Sequence, residues 1–227
     1  MTIKEKIIRA LKNPKYVIKR IKGIPQIRKM NEILHKNGYN TLNRLDNILT
    51  TANIKYWLTA GSLLGAYREN GFIEHDLDID IAIRKEDYKK AKEVLKNNGF
   101  TPIEAFFLSD GELQEVSYLY NDVKMDIFLS RLDKGKEYIT SFYNEYVKDQ
   151  YMAVTMILPE VNEVCRITLK DATVNIPSNA KEYLIAIYGE RFMIKDKNWT
   201  YTKDIASAIY YKKNEKYGTC VRLKQEI

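Results

Sequence analysis

Cysteine and histidine are scarce in this chain. Two cysteines, Cys165 and Cys220, and two histidines, His35 and His75, stand among 227 residues. Two distant cysteines make no disulfide framework and show no metal-ligand spacing, so they read as reduced thiols. So few histidines and cysteines also argue against a zinc centre. Long apolar runs are missing too. The longest, at about residues 151–158, is too short to span a bilayer. No early apolar core precedes a small-residue cleavage site, so the expected location is cytoplasmic, without a secretory signal. There is no internal repeat and no low-complexity tract. Apolar residues make up 45% and charged residues 30%, a globular balance that argues against wholesale disorder.

Charge is present but unevenly placed. The chain carries 37 Lys+Arg against 30 Asp+Glu, a net of +7. Residues 1–36 hold eleven Lys/Arg with only Glu5 and Glu32, which leaves 26 against 28 in the remainder, a net of −2. Residues 1–38 therefore read as a basic amphipathic helical arm, and 39–227 as the body. In the arm, Ile3, Ile7, Ile8 and Leu11 form one stripe. Asn13-Pro14 opens a second helix with Val17, Ile18 and Ile21, stopped by Gly23 and Pro25. Such an arm suits an anionic membrane surface; it equally suits packing on the body with its charges solvated. A near-neutral body without a basic track speaks against nucleic acid as a partner.

The body reads as α+β. Helices are expected at 26–37, closed by Asn37-Gly38, and after Asn40, with Leu42, Leu45, Ile48 and Leu49 buried. A short strand at 55–60 leads through Gly61-Ser62 into a helix at 63–70, with Gly71 as its C-cap. Leu77, Ile79, Ile81 and Ile83 alternate with Asp76, Asp78, Asp80 and Ala82, a period-2 strand. A helix at 85–98 ends at Gly99. Two apolar runs meet at Asn121-Asp122, a hairpin signal, and the second contains Asp126. Residues 136–176 look β-rich, and a helix follows Pro177-Ser178-Asn179 through Tyr188.

The alternation puts Asp76, Asp78 and Asp80 on one strand face, with Asp78 and Asp80 roughly 6.5–7 Å apart at Cα. Together with Asp126 they make an oxygen donor set for a hard divalent cation, Mg²⁺ or Mn²⁺. Without a cation, carboxylates so crowded would repel one another. Gly61 lets the backbone approach a phosphate, and Ser62 with the helix start offers donors to it. Cation on one side and helix N-terminus on the other make a cradle for a nucleoside diphosphate or triphosphate. His75, beside the acids, reads either as an acid or phosphate contact, or as a packing residue supporting the site. Tyr67, Tyr118 and Tyr120 read either as lining for a donor pocket or as sheet and core residues. Trp57 reads as core.

The stretch Tyr56-Trp57-Leu58-Thr59-Ala60-Gly61-Ser62-Leu63-Leu64-Gly65-Ala66-Tyr67-Arg68-Glu69 resembles the signature of the LicD family. So does Gly71-Phe72-Ile73-Glu74-His75-Asp76-Leu77-Asp78-Ile79-Asp80-Ile81. The likeness continues at Met125-Asp126-Ile127-Phe128 and at Val174-Asn175-Ile176-Pro177-Ser178-Asn179, and covers about residues 40–200. That family sits in the nucleotidyltransferase-fold superfamily and is related to fukutin-type enzymes. The resemblance implies a polymerase-beta-type mixed sheet flanked by helices. It implies transfer of a phospho-substituent, phosphocholine or a phospho-alditol, from a CDP-activated donor to a sugar hydroxyl of a lipopolysaccharide, capsule or teichoic acid, including lipid-linked glycans. It implies metal binding by Asp78, Asp80 and Asp126 with Asp76 supporting, and donor-phosphate contacts from Gly61, Ser62 and Arg68. Arg68 reads alternatively as an ion pair with a neighbouring acid. Where the family usually has Pro-Trp and consecutive acids, this chain has Glu74-His75-Asp76-Leu77; Leu77 removes a carboxylate from the core-facing side only. Two rival readings stand beside this one: a true nucleotidyltransferase releasing pyrophosphate, and a non-catalytic nucleotide-binding module.

Overall fold

A computed structural model describes residues 14–144, 151–210 and 217–223. The expected helix carrying Ile3, Ile7, Ile8 and Leu11 lies outside the described residues. The segment with Val17, Ile18 and Ile21 is helical, with its side chains outside them.

The chain opens with one helix, α1 (Pro14–Thr51), which runs unbroken through Pro25 and Gly38. Both expected stops are therefore corrected. Gly38 marks a close approach instead of a helix end: a Cβ there would lie 2.6 Å from Phe72 Cε2. The expected stripe is present, with Leu42, Leu45, Ile48 and Leu49 all buried, and Leu34 extends it. Next, β1 (Tyr56–Leu58) leads into α2 (Ala60–Glu69). The left-handed residue that ends α2 is Asn70, φ 52°, not Gly71. The helix instead needs glycine at Gly65, where a Cβ would sit 2.4 Å from the Gly71 carbonyl oxygen. Then follow β2 (Asp78–Arg84), a 3₁₀ turn (Lys85–Asp87) and α3 (Tyr88–Asn97).

Strands β3 (Thr101–Phe107), β4 (Leu113–Tyr120), β5 (Val123–Asp133), β6 (Lys136–Asn144) and β7 (Tyr151–Pro159) build the main sheet. The β4–β5 turn is Asn121-Asp122, with φ 48° and 63°, the two positive values a tight primed hairpin requires. A separate hairpin, β8 (Val164–Leu169) and β9 (Ala172–Pro177), precedes α4 (Ala180–Tyr188). Short strands β10 (Ala208–Tyr210) and β11 (Tyr217–Arg222) come last.

The main sheet runs β1-β2-β5-β4-β3-β11-β7-β10, and β6 joins β5 to β7. Strands β5, β4, β3, β11, β7 and β6 thus close a six-stranded ring. The α+β class and the mixed sheet agree with expectation, the parallel pair being β2 with β5. The closure does not: these six strands build a small barrel with β1 and β2 attached to one side, not an open sheet alone. The barrel closes because the 11-residue β5 is long enough to serve two neighbours, β4 through Val123–Phe128 and β6 through Arg131–Asp133. No helix among the described residues is long and apolar enough to cross a membrane.

Candidate active site

Parallel pairing sets Asp80 beside Asp126 and Asp78 beside Lys124. On the other side of β5, Ser117 of β4 stands opposite Asp126. In-register residues share a face, so β2, β5 and β4 present Asp78, Asp80, Lys124, Asp126 and Ser117 together. The Asp126 carboxylate accepts from the Ser117 hydroxyl at 2.5 Å and from the Lys124 ammonium at 2.5 Å. The same ammonium stands 3.4 Å from Asp78.

Asp80 is held from α2. The Gly61 N–H donates to Asp80 Oδ2 at 3.1 Å, and the Ser62 hydroxyl accepts the Asp80 backbone N–H at 2.8 Å. Gly61 and Ser62, read from the sequence as phosphate contacts, thus first position this carboxylate. A Cβ at Gly61 would lie 3.3 Å from Asp80 Oδ2, a tight contact, and 3.4 Å from Asp76 Oδ1, an ordinary one, so both acids pack closely on the start of α2. Asp76 precedes β2 in a loop, where its side chain accepts the Ile73 N–H at 3.0 Å. Asn31 of α1 ties this loop down by donating to the carbonyls of Glu74 and Asp76, at 3.0 and 2.8 Å.

The electrostatics follow from crowding. Burial, with Asp78 nearby, pushes Asp76 up to about 7. Burial and Asp126 push Asp78 up to about 6 against the pull of Lys124. Asp80 is driven well up by burial and then by Asp78 and Asp126. Glu115, two residues before Ser117 on β4, is driven well up by burial and by Asp126. Burial works against the Lys124 charge, but Asp126 and Asp78 outweigh it and raise its pKa. Four carboxyl groups, of Asp78, Asp80, Asp126 and Glu115, therefore share one ammonium, and Asp76 beside them faces Arg68. Among the described residues no three His, Cys, Asp or Glu side chains converge on a single point as a ready ligand set; Asp78 and Asp126 are turned to Lys124. The donor chemistry nonetheless fits a hard divalent cation: all oxygen, mostly carboxylate, and short of positive charge.

A cavity of about 910 Å³ opens beside the acids. Gly61, Asp76, His75 and Arg68 line it, as do Arg191, Lys195, Lys197, Tyr188, Trp199 and Tyr201. His75 is exposed there. Arg68 combines both of its readings: it pairs with Glu69 at 2.8 Å, donates to the Phe192 carbonyl at 3.3 Å, and faces the cavity. The aromatic lining comes from the 188–201 segment, not from Tyr67, Tyr118 and Tyr120. Tyr118 is buried and shares a hydrogen bond with Tyr88 at 3.1 Å. Tyr120 stacks on Phe100 at 4.3 Å. Tyr67 packs edge-on to Phe192, half exposed. Trp57 is fully buried, as expected, and donates to the Tyr183 hydroxyl at 3.2 Å.

Lys124 and Glu115 escaped the sequence reading. Their signal was there: Lys124 lies two residues before Asp126 and Glu115 two before Ser117, the spacing that shares a strand face.

Comparison with known proteins adds kinship. Residues 53–179, more than half the chain, match the LicD/FKTN/FKRP nucleotidyltransferase domain family. Ribitol-5-phosphate transferase FKTN of Mus musculus is 26% identical over 168 residues, 74% of this chain and 35% of that protein. The uncharacterized protein RP689 of Rickettsia prowazekii is 33% identical over 116 residues, 50% of this chain and 39% of its own length. The chain thus spans little more than a third of these curated relatives. Among solved structures, lincomycin-bound lincosamide antibiotic adenylyltransferase LnuA overlaps 58% of this chain and 75% of its own at 16% identity, with a TM-score of 0.37. On the match of residues 53–179, the chain belongs to the LicD/FKTN/FKRP nucleotidyltransferase domain family.

Proposed function

We propose that this protein is a metal-dependent transferase that moves a phospho-substituent from a CDP-activated donor to a glycan hydroxyl. One observation carries the reading: Asp78 and Asp126 close on a single lysine with Asp80 beside them, and Asp76 carries the cluster to a cavity lined by cations and aromatic rings. So many carboxyl groups for one lysine suit a cation with a phosphate chain. Residues 39–227 carry the chemistry, and Asn31 of the basic arm steadies the loop that holds Asp76.

Asp78, Asp80 and Asp126, with Asp76 beside them, would hold Mg²⁺ or Mn²⁺, which supplies charge neutralisation at the donor's diphosphate. Gly61 holds the Asp80 carboxylate and Ser62 its backbone N–H, and Gly61 leaves the backbone open to a phosphate. Arg68, with Arg191 and Lys195 along the same cavity, meets the donor's phosphate charge. The acceptor oxygen attacks the phosphorus that bears the small alcohol, the bond to the CMP phosphate breaks, and CMP leaves. Asp126 takes the hydroxyl proton. Two points favour an alditol over choline as the moved group. Relatives are named ribitol-5-phosphate transferases. The Tyr188, Trp199 and Tyr201 rings pack on one another at 4.6–6.2 Å, rather than standing apart as a cage for a quaternary ammonium.

The test is a product assay with Mg²⁺ and CDP-ribitol, CDP-glycerol, CDP-choline, CTP or ATP, with and without cell-surface glycan. Acceptor-dependent CMP release from a CDP-donor is the expected result. Pyrophosphate release from CTP or ATP would replace this reading with a nucleotidyltransferase, and binding without turnover on any donor would replace it with a nucleotide-binding module.

A further inference from the structure

Exposed apolar side chains gather at the mouth of the cavity. Among the described residues, eight large hydrophobics are exposed, and five of them are Ile24, Ile27, Tyr67, Met193 and Ile194. Met193 and Ile194, at 52% and 58% exposure, sit in the loop after α4. Ile194 itself lines the cavity, and Arg191, Lys195 and Lys197 flank the pair. Tyr67 joins them through Phe192, ring centroids 5.6 Å apart. Ile24 and Ile27 belong to α1. Residues 24–29 are exposed all round, so this stretch of helix stands clear of the body. Ile27 is one turn before Asn31, hence on the same helix face, and Asn31 is bonded to the Glu74 and Asp76 carbonyls at the cavity's edge. Ile194 and the 73–76 loop line one cavity, and Asn31, one turn after Ile27, is bonded to that same loop.

Charge says what covers this surface. Residues 14–36 hold seven Lys/Arg against Glu32 alone, and the apolar groups are interspersed among cations, not gathered into one dry patch. Arg28 and Lys29 follow Ile27 directly, and Arg191, Lys195 and Lys197 flank the loop pair; apolar side chains beside such cations match an anionic bilayer surface. We propose that α1 around Ile24 and Ile27, together with the Met193–Ile194 loop, docks the protein on an anionic lipid surface with the cavity mouth facing the bilayer. A lipid-borne acceptor would then meet the aspartates without leaving the membrane. The docking itself does not depend on the transferase reading.

The experiment is co-sedimentation of the full chain with vesicles of pure phosphatidylcholine, and of phosphatidylcholine with about a third phosphatidylglycerol. Binding to the anionic vesicles alone, weakened by salt, is expected. The double variants Met193→Ser/Ile194→Ser and Ile24→Ser/Ile27→Ser should each lose about ten-fold in partitioning. Leu132→Ser should bind as the unaltered protein does: Leu132 is equally exposed but sits six residues along β5 from Asp126, about 20 Å away. No vesicle binding, binding untouched in both double variants, or an equal loss in Leu132→Ser would overturn the proposal. An acidic protein as the true partner would give the first of these results. CMP release from a soluble acceptor, measured without vesicles, reports on the transferase reading separately.

Discussion

One pair of strands, β2 and β5, carries buried charge at both ends, and the two ends are built on opposite plans. At the far end Arg84 sits in register with Ser130. The Arg84 guanidinium pairs with the fully buried Glu137 of β6 at 2.8 Å. Glu137 also accepts the Val161 N–H at 2.9 Å and the Ser130 hydroxyl. One cation meets one anion, and neutral donors complete the carboxylate. At the near end Asp78, Asp80, Asp126 and the neighbouring Glu115 share Lys124. Strand and face are the same, and the near end is the more open, with Asp78 31% exposed against 0% for Glu137. Matched charge locks the barrel; unmatched charge is held in place, by Gly61, Ser62 and Ser117, for something that brings positive charge with it.

The comparison can be broken at either end. The largest effect belongs to the near end: Asp78→Asn and Asp126→Asn should cut CMP release by about 10³-fold or more while the protein stays folded, as circular dichroism would report. At the far end, Glu137→Gln strands Arg84 and should cost about 3 kcal/mol in a urea titration, leaving turnover per folded molecule intact.

The pH response should sharpen the contrast. Asp76 and Asp78 have folded pKa values raised to about 7 and about 6, above an unfolded value of about 3.9. The folded protein therefore binds more protons than the unfolded chain in that window. The stability these groups lend is complete below about pH 4 and is lost as pH rises through 6 and 7. In chelator, melting midpoints should fall from about pH 5 to about pH 8 for the unaltered protein, and less steeply for Asp78→Asn. The smallest effect is expected at a third pair. Arg166 reaches Asp46 at 2.7 Å but is half exposed, so Arg166→Ala should cost no more than about 1 kcal/mol.

Much of the near end was legible in the sequence, because it rests on local periodicity. Asp78-Ile79-Asp80 declares a strand face in three residues, and Asn121-Asp122 declares the hairpin that brings Asp126 back toward it. What sequence could not carry was decided by tertiary contact. Gly38 reads as a helix stop until Phe72 is found packed against it. Tyr118 and Tyr120 read as pocket or core alike until Tyr88 and Phe100 claim them. The barrel's closure depends on β11 pairing with β3, residues more than a hundred positions apart. The cavity's cations and rings come from the 188–201 segment, where turns obscure any periodic signal.

The most direct measurement is the thermal melt of Asp80→Asn beside the unaltered protein, in chelator and in Mg²⁺, at about pH 8. If the near end is held charged for a cation, Asp80→Asn melts about 2–4 °C higher in chelator, because one repelling carboxylate is gone, and loses both the Mg²⁺-induced rise and CMP release. If Asp80→Asn instead melts lower in chelator and still releases CMP with Mg²⁺, the crowded aspartates are structural and the account fails.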